Sequence, residues 1–268
     1  MRRLEGRTAL VVGGGSEGPA REGDDLPIGN GRAIAQRLAA EGARVAVTDL
    51  HLDRAQQTID ACGDGIAIAA DAGDPEDSRR AVRDAQEALG PLDIVVCNVG
   101  VSGSATIRGQ DKDDWDRAVA VNVEGHWVTC QEALGPMLER SRGAFVFVGS
   151  TAGMWSPGRS LSYEVTKAGQ LAVMRHVAVR YAARGIRSNA LVLGVIDSPL
   201  VRREFGSEGA EARDLLSPMR RQGQPEEAAA AAAFLASDDA SYVNGHCLVL
   251  DGGTAAASPQ PNLHRLGG

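Results

Sequence analysis

Short apolar runs alternate with amphipathic stretches along most of the chain. Runs such as 94–97 are too short for core helices and end near glycine or polar residues, so they predict buried strands. The stretches between them place apolar residues at helical spacing, as at Ile34 and Leu38. The predicted strands are 8–12, 45–48, 66–69, 94–97, 144–148, 187–193 and 247–250, and the predicted helices are 32–41, 75–89, 112–140, 168–183 and 225–237. This alternation predicts an α/β domain with a parallel sheet.

A glycine-rich segment follows the first predicted strand and admits two alignments with a dinucleotide-binding turn. Residues 13–18 match Gly-x-Gly-x-x-Gly letter by letter, but Pro19 and Pro27 then fall where a helix should begin. We favour a divided motif, because the phosphates of a dinucleotide bind where a helix starts. In that alignment Gly13, Gly14 and Ser16 follow the strand, Gly29 and Gly31 begin the helix, and 17–28 is an insertion. The insertion is then either a solvent loop or a flap over the cofactor.

An acidic residue, Asp49, ends the second predicted strand. A carboxylate at this position can accept hydrogen bonds from the ribose hydroxyls of NAD, and it would repel the 2′-phosphate of NADP. His51 and Arg54 lie nearby in sequence and could interact with such a phosphate. The alternative without a functional role is that Asp49 is a solvated loop residue. We therefore predict NAD as the cofactor, with NADP less favoured.

The segment from Ser150 to Lys167 carries three side chains suited to proton transfer. Ser150 follows the run 144–148, at the sheet edge where open α/β sheets bind ligands. Tyr163 and Lys167 are separated by one helical turn and would share a helix face. Because an ammonium favours the phenolate, Tyr163 could exchange a proton with an oxygen that Ser150 holds. Alone, a Tyr-x-x-x-Lys pair is more often a chance surface pair than a site.

Further polar positions follow predicted strands or interrupt a predicted helix. Asp71 could bond an adenine amino group or merely cap a turn. Gly100, in the element Asn98-Val99-Gly100, lets backbone approach a ligand closely. Asn122 lies inside the predicted helix 112–140, where an asparagine is usually a solvent or packing residue. Its functional alternative is a local kink whose freed carbonyl orders a water.

Composition excludes several classes of protein. The 268 residues carry a net charge of −7, which does not favour a nucleic-acid partner. The apolar runs are too short to span a bilayer and the first residues lack a signal-peptide core, so we expect a cytoplasmic protein without a membrane partner. The four cysteines are widely spaced and have no metal-ligand pattern, which predicts reduced thiols and no metal site.

We expect a single domain over residues 1–253. Residues 197–220 are charged and irregular, which predicts a lid over the substrate. The tail 254–268 is rich in proline and alanine and has no periodicity. It is either loose or packed on a neighbouring subunit.

Taken together, these pieces resemble the classical short-chain dehydrogenase/reductase (SDR) family over about residues 5–253. The resemblance rests on the divided glycine motif, Asp71, Asn98-Val99-Gly100, Asn122, Ser150, Tyr163-x-x-x-Lys167, Asn189 with Gly194, 225–228 (Pro-Glu-Glu-Ala), and 244–245 before 251–253. It implies a single doubly wound Rossmann-type domain, whose seven-stranded parallel sheet has helices on both faces. It also implies an oxidoreductase that is commonly a homotetramer, assembled through the two long helices around 112–140 and 159–184.

The resemblance implies a catalytic tetrad, carried over as Asn122, Ser150, Tyr163 and Lys167. Tyr163 is then the acid/base, Ser150 orients the substrate oxygen, and Lys167 tunes Tyr163 and holds the nicotinamide ribose. Asn122 supports a water that leads to solvent. We expect cofactor contacts from Gly13, Gly15, Ser16, Asn30, Gly31, Asp49, Asp71, Ala72, Asn98, Gly100, Tyr163, Lys167, Ile196 and Ser198. The expected substrate walls are Met154, Trp155, Leu193, Val195, Leu200 and Phe205, which are apolar and favour a hydrophobic or cyclic alcohol or ketone.

Four features depart from the family pattern: Val12 in place of Thr, the insertion 17–28, Val99 in place of Ala, and Leu193 in place of Pro. None removes a tetrad member, so we predict an NAD(H)-dependent alcohol dehydrogenase or ketone reductase. One alternative is a non-catalytic NAD-binding regulator with the same fold, which would not need both Tyr163 and Lys167. Another is an NADPH-linked 3-oxoacyl reductase, against which Asp49 argues.

Overall fold

The computed structural model describes residues 2–16, 28–205 and 213–257, and of residues 203–205 the backbone alone. The strands are Thr8–Val12 (β1), Arg44–Asp49 (β2), Gly65–Ala69 (β3), Ile94–Cys97 (β4), Gly143–Ser150 (β5), Ile186–Leu193 (β6) and Cys247–Leu250 (β7). The helices are Asn30–Ala40 (α1), Leu52–Cys62 (α2), Pro75–Leu89 (α3), Lys112–Val119 (α4), Gly125–Glu139 (α5), Leu161–Tyr181 (α6), Pro199–Phe205 (α7) and Pro225–Ala236 (α8). The strands form one seven-stranded sheet in the order β3-β2-β1-β4-β5-β6-β7. All neighbouring strands are parallel.

Helices cover both faces of the sheet. On one face α1, α2 and α8 bury apolar side chains such as Ile34 and Ala232 against the strands. On the other face α3, α5 and α6 do the same, with Val82, Met137 and Met174 fully buried. Each face therefore has its own apolar core, and the architecture is the predicted doubly wound α/β fold.

Local signals set the ends of α3 where the sequence predicts them. The side chain of Asp74 accepts hydrogen bonds from the backbone N–H groups of Glu76 (2.8 Å) and Asp77 (3.3 Å), and Pro75 occupies the first turn. Gly90, with φ of +85°, ends the helix in a conformation that favours glycine.

Helices α1 and α8 also lie within two residues of their predicted bounds, whereas several other helices differ from the prediction in ways that have physical causes. The predicted helix 112–140 is interrupted by a π-helical turn, Ala120–Glu124, between α4 and α5. Helix α2 was not predicted, because it buries only three side chains and one of them is the polar Thr58. Helix α7 occupies part of the segment predicted to be irregular.

Helix α6 begins at Leu161, well before the predicted start at residue 168. The carboxylate of Glu164 accepts hydrogen bonds from the backbone N–H groups of Arg159 (2.8 Å) and Ser160 (3.1 Å). This side-chain cap satisfies backbone N–H groups that precede the helix, and it therefore fixes the residue at which the helix starts. Tyr163 and Lys167 consequently lie in the first two turns of α6.

Within the described ranges, no helix is both long enough and apolar enough to cross a membrane. Residues 17–27 of the predicted insertion, 206–212 of the predicted lid and 258–268 of the tail lie outside the described residues.

Candidate active site

A pocket of about 220 Å³ opens at the carboxyl edge of the sheet, where β1, β4, β5 and β6 end. Its walls come from the turn after β1, the start of α1, the ends of several strands, and α6 and α7. The predicted site residues in its walls are Gly13, Gly15, Asn30, Gly31, Asp49, Asn98, Gly100, Ser150, Tyr163, Lys167, Leu193, Ile196, Ser198 and Leu200.

The turn after β1 is packed tightly against the start of α1. Gly13 has a φ of +74°, and its N–H donates to the carbonyl of Thr48 (2.9 Å). A Cβ on Gly31 would lie 2.2 Å from the carbonyl oxygen of Gly13, so only glycine allows this approach. Ser16 Oγ accepts a hydrogen bond from the N–H of Gly29 (3.2 Å). Gly29 lines the pocket, whereas Ser16 does not. Helix α1 thus starts directly against the turn, as the divided glycine motif requires.

The start of α1 offers polar groups that fit a dinucleotide. Its first residue is Asn30, whose Oδ1 is buried and has no hydrogen-bond partner among the described residues. An orphaned acceptor of this kind fits a hydroxyl donor such as a ribose. The first turn of α1 contains no acidic side chain, so its N–H groups and dipole favour a phosphate.

Asp49 lies at the pocket wall beside the glycine turn. Its Oδ1 accepts a hydrogen bond from the backbone N–H of His51 (3.0 Å). Its Oδ2 would be 2.3 Å from a Cβ built on Gly15, and the Cβ of Arg54 would be 2.9 Å from the same point. The pocket therefore has a carboxylate at this end, with an arginine close to it.

Two predicted cofactor residues on the β3 side lie outside the pocket walls. Asp71 Oδ1 accepts a hydrogen bond from the N–H of Gly73 (2.8 Å), and its Oδ2 is 3.7 Å from Nη1 of Arg117. The carbonyl of Ala72 packs against Gly125, where a Cβ would be only 2.0 Å away. The turn-capping alternative describes what Asp71 does in this structure, and the cofactor contacts of both residues stay predictions.

The segment after β4 connects the cofactor turn to the predicted catalytic residues. Asn98 Nδ2 donates to the carbonyl oxygen of Gly13 (2.7 Å). A Cβ on Gly100 would lie 3.3 Å from Nζ of Lys167 and 3.4 Å from Oδ1 of Asn122. The glycine leaves room beside the lysine head group.

The structure brings Ser150, Tyr163 and Lys167 together in one pocket. Ser150 is the last residue of β5, and its Oγ accepts a hydrogen bond from the N–H of Ala152 (3.2 Å). That bond uses the hydroxyl as an acceptor and leaves its proton available for a substrate oxygen. Nζ of Lys167 lies 5.7 Å from the centre of the Tyr163 ring, within the range of a cation–π contact.

The ammonium of Lys167 is buried, with 4% of the residue exposed. Its Nζ donates to the carbonyl oxygen of Val148 (3.0 Å) and to Oε1 of Gln170 (3.1 Å). Burial lowers the pKa of Lys167 to about 8, because the charged form loses its hydration. The group is therefore still mostly charged at neutral pH.

Asn122 lies in the π-helical turn and is fully buried outside the pocket walls. Its Oδ1 accepts a hydrogen bond from the N–H of Val101 (2.8 Å). Its Nδ2 donates to the carbonyl of Val101 (2.8 Å) and to Oγ1 of Thr166 (2.9 Å). The helix is interrupted here, as the functional alternative for Asn122 foresaw, and the side chain ties the interruption to α6.

The predicted substrate residues are divided between several places. Leu193 and Leu200 line the pocket. Met154 and Trp155 are 42% and 47% exposed and are not among its walls. Val195 lines a neighbouring cavity instead, and the side chain of Phe205 lies outside the described residues.

Sequence reasoning did not single out several residues around the site. Val148, Gly149, Pro199 and Val201 belong to the pocket walls. Gln170 lies on α6, three residues after Lys167, and His126 lies on α5, four residues after Asn122. Both side chains are fully buried behind Lys167. The available signal for Gln170 was its spacing of three residues from Lys167, which places both side chains on one helix face.

Comparisons with known proteins bear on this arrangement. The family model described as enoyl-(acyl carrier protein) reductase matches residues 28–255. The 2-(S)-hydroxypropyl-CoM dehydrogenase 3 of Xanthobacter autotrophicus is 34% identical to this chain, over 95% of the chain and 98% of that protein. A short-chain dehydrogenase/reductase mutant structure from Serratia marcescens has a TM-score of 0.84 at 32% identity, covering 94% of this chain and 99% of that one. A structure from Agrobacterium tumefaciens with bound NADP has a TM-score of 0.83 at 30% identity, with coverages of 96% and 99%.

These similarities extend over nearly the whole described fold. The two structures cover 94% and 96% of this chain, and the family model covers residues 28–255. The chain belongs to the short-chain dehydrogenase/reductase family, and it is an oxidoreductase of the type that acts on alcohols and ketones with a nicotinamide cofactor, NAD or NADP.

Proposed function

We propose that this protein is an NAD(H)-dependent dehydrogenase or reductase that interconverts a secondary alcohol and a ketone. The observation that carries the proposal is the convergence of Ser150, Tyr163 and Lys167 on one pocket, with Asp49 at another part of its wall. The first three suit proton transfer at a carbinol oxygen, and the last suits an adenosine ribose.

Three residues of the pocket have distinct roles in the proposed reaction. Ser150 donates a hydrogen bond to the substrate oxygen and fixes its position. Tyr163 gives a proton to that oxygen during ketone reduction and removes it during alcohol oxidation. The Lys167 ammonium favours the phenolate of Tyr163 and can hold a ribose hydroxyl with a remaining N–H. A bound nicotinamide supplies or accepts the hydride at the carbinol carbon.

Asn122 acts at a distance in this proposal. It does not line the pocket, but its hydrogen bonds hold the π-helical turn against α6. A water supported by the freed backbone of this turn would connect the lysine to solvent. We propose this supporting role for Asn122 rather than contact with the substrate.

Asp49 supports NAD over NADP. Oδ1 already accepts a backbone hydrogen bond, and Oδ2 lies beside the glycine turn. A 2′-phosphate placed there would face a carboxylate at short range. The related structure with NADP makes the comparison of the two cofactors the decisive measurement.

The pocket walls favour an apolar substrate. Leu193, Pro199, Leu200 and Val201 present apolar surface near Ser150 and Tyr163. We propose a hydrophobic or cyclic alcohol or ketone. Good turnover of sugars without activity on cyclic ketones would contradict this choice of substrate.

We also propose that the protein is cytoplasmic and assembles as a homotetramer. Exposed apolar side chains on α5 and α6 support the assembly. Trp127, Val165 and Val179 are 47%, 45% and 82% exposed. Contact with a second copy would remove this surface from water. Sedimentation of the purified protein tests the proposal, and a monomer at micromolar concentration would contradict it.

Binding of NADH and of NADPH to the purified protein, followed by turnover of a panel of alcohols and ketones, tests the proposed function. We expect tighter binding of NADH and turnover of at least one cyclic ketone. If the protein binds NADH but turns over no member of the panel, the result would favour the non-catalytic regulator. Preference for NADPH would overturn the role given to Asp49.

A further inference from the structure

A buried chain of three polar side chains leads from Lys167 away from the pocket. Nζ of Lys167 donates to Oε1 of Gln170 (3.1 Å), and Nε2 of Gln170 lies 2.5 Å from Nδ1 of His126. Gln170 and His126 have no exposed surface, and neither lines the pocket. Within the described residues, the hydrogen bond from Lys167 to Gln170 connects this pair with the pocket.

The ammonium determines which way the amide of Gln170 faces. An ammonium has only donors, so the group of Gln170 that faces it must be the carbonyl oxygen. The amide NH₂ is then directed at His126, whose Nδ1 must accept and therefore carries no proton. The hydrogen bonds have one consistent direction, from lysine to glutamine to histidine.

The surroundings of His126 keep it in the required neutral form. The ring is fully buried and lies edge-on to Phe147, with ring centres 6.3 Å apart. Burial and the nearby Lys167 charge lower the pKa of His126 to about 3. Nε2 has no hydrogen-bond partner in the described part of the chain, and the backbone carbonyls of Asn122 and Val99 offset only part of the lowering of the pKa of His126. The ring is therefore neutral at physiological pH, with its proton on Nε2.

We propose that Gln170 and His126 are positioning residues that hold the Lys167 ammonium in place for Tyr163. The inference rests on the proposed function, in which that ammonium favours the phenolate of Tyr163. Gln170 supplies one of the two acceptors recorded for Nζ, and the Val148 carbonyl supplies the other. His126 acts one step further away: by accepting from the amide NH₂ it prevents the amide from turning its donors towards the lysine.

Other ionisable groups face this network and belong in its interpretation. The thiol of Cys97, on β4, lies close enough to Lys167 to influence its charge. Cys97 in turn contacts Cys130 on α5, and burial raises the pKa of Cys130. Tyr163 is the neighbour on α6 itself. The thiol of Cys130 stays uncharged in its buried site at neutral pH, so Lys167 and Tyr163 are the pair that the network controls.

The titration of Tyr163 tests this role without any need for turnover. The chain has three tyrosines, so the background variant Tyr181→Phe/Tyr242→Phe leaves Tyr163 as the single phenol. Its ionisation is followed by ultraviolet absorbance, with circular dichroism recording the fold at each pH. Adding Tyr163→Phe to the background must abolish the signal and so assigns it.

We expect Gln170→Leu in this background to raise the titration midpoint of Tyr163 by about half a pH unit or more, because the ammonium loses an acceptor and favours the phenolate less. The matched control is Thr129→Val, which removes a buried hydroxyl that donates within α5 to Gly125. It should leave the midpoint unchanged. A Gln170→Leu midpoint equal to that of the background would overturn the proposal.

The double variant His126→Phe/Gln170→Leu separates positioning from structural support. Replacing both partners leaves no unpaired polar group of this pair in the core, so the variant should fold even if Gln170→Leu alone does not. We expect its thermal stability to approach that of the background while the Tyr163 midpoint stays raised. Recovery of both properties would show a purely structural pair and reject the proposal. A raised midpoint in a protein that turns over no alcohol or ketone would instead support the network and count against the proposed function.

Discussion

Nδ2 of Asn122 donates to Oγ1 of Thr166 at 2.9 Å, and Thr166 immediately precedes Lys167 on α6. The same asparagine holds both backbone groups of Val101 at 2.8 Å. One fully buried side chain therefore connects three parts of the site: the π-helical turn, the segment after β4 and the helix that carries the lysine.

Replacing Asn122 by Leu should weaken the fold and the site together. The change removes all three hydrogen bonds and leaves the backbone groups of Val101 without these partners, so the free energy of unfolding should fall by about 1–3 kcal/mol. Chemical denaturation measures the loss. Thr166→Val removes one of the three bonds together with the hydroxyl's own donation to the carbonyl of Ser162 (2.7 Å), but it leaves the backbone groups of Val101 with their partners, so it should cost less. An equal cost for the two variants would show that the bonds to Val101 contribute little.

Replacing Tyr163 by Phe should abolish most turnover while NADH still binds. The variant loses the only proposed acid/base group but keeps Lys167 and the glycine turn, so kcat/KM should fall by roughly 10²–10⁴-fold. Steady-state kinetics and NADH titration are measured together on the same sample. Tyr181→Phe, on the same helix, should retain activity; full activity in Tyr163→Phe would remove the phenol from the mechanism.

Replacing Asp49 by Ser should shift the cofactor preference towards NADPH. Removal of the carboxylate ends its repulsion of a 2′-phosphate and its hydrogen bonding to ribose, so the ratio of kcat/KM for NADPH to that for NADH should rise on the order of 10-fold or more. Asp53→Ser is the matched control, because Asp53 is an exposed acid in the first turn of α2. A similar shift in both variants would indicate a general charge effect rather than direct recognition.

Replacing Gly31 by Ala should disrupt the cofactor turn. The added Cβ would lie 2.2 Å from the Gly13 carbonyl and 2.5 Å from Nδ2 of Asn98, so the turn must move away from α1. We expect a lower melting temperature and NADH affinity reduced by roughly 10-fold or more. Gly135→Ala provides the control, since its Cβ meets nothing within 4 Å. Normal NADH binding by Gly31→Ala would show that the turn is not part of the cofactor site.

Acid should destabilise the protein through His126. Its pKa is lowered from 6.5 to about 3 by burial, so below pH 6.5 the unfolded chain binds a proton that the folded chain does not. The free energy of unfolding should therefore fall as the pH decreases from 6.5 towards 3. Denaturation at several pH values should show a shallower fall in His126→Phe/Gln170→Leu than in the unaltered protein. His176→Asn changes an exposed histidine of α6 and should keep the original slope.

The parts of the fold with local signals were predictable from the sequence. Helix α3 lies where it was expected, because a capping aspartate, a proline and a glycine mark its ends within the segment itself. The seven strands were also recognised, since parallel strands buried on both faces are continuous apolar runs. Helix α2 was missed because its buried face is narrow and most of its surface is polar.

The parts of the site that depend on tertiary contacts were harder to predict. The convergence of Ser150, Tyr163 and Lys167 was expected, because strand end and helix spacing place them near one edge. The interruption at Asn122 was foreseen only as an alternative, since the hydrogen bonds of that side chain reach residues far along the chain. The pairing of Gln170 with His126 was not foreseen, because a polar residue in a helix is usually exposed and the contact joins residues 44 positions apart in the chain.

The position of β1 in the sheet has a consequence for synthesis. β1 lies between β2 and β4, and the contact of Thr8 with Asp93 at the start of β4 joins residues 85 positions apart. A nascent chain that pauses on the ribosome before β4 has emerged therefore leaves one edge of β1 without its partner. Unpaired strand edges are templates for intermolecular pairing, so this interval of translation is when the chain most needs a chaperone.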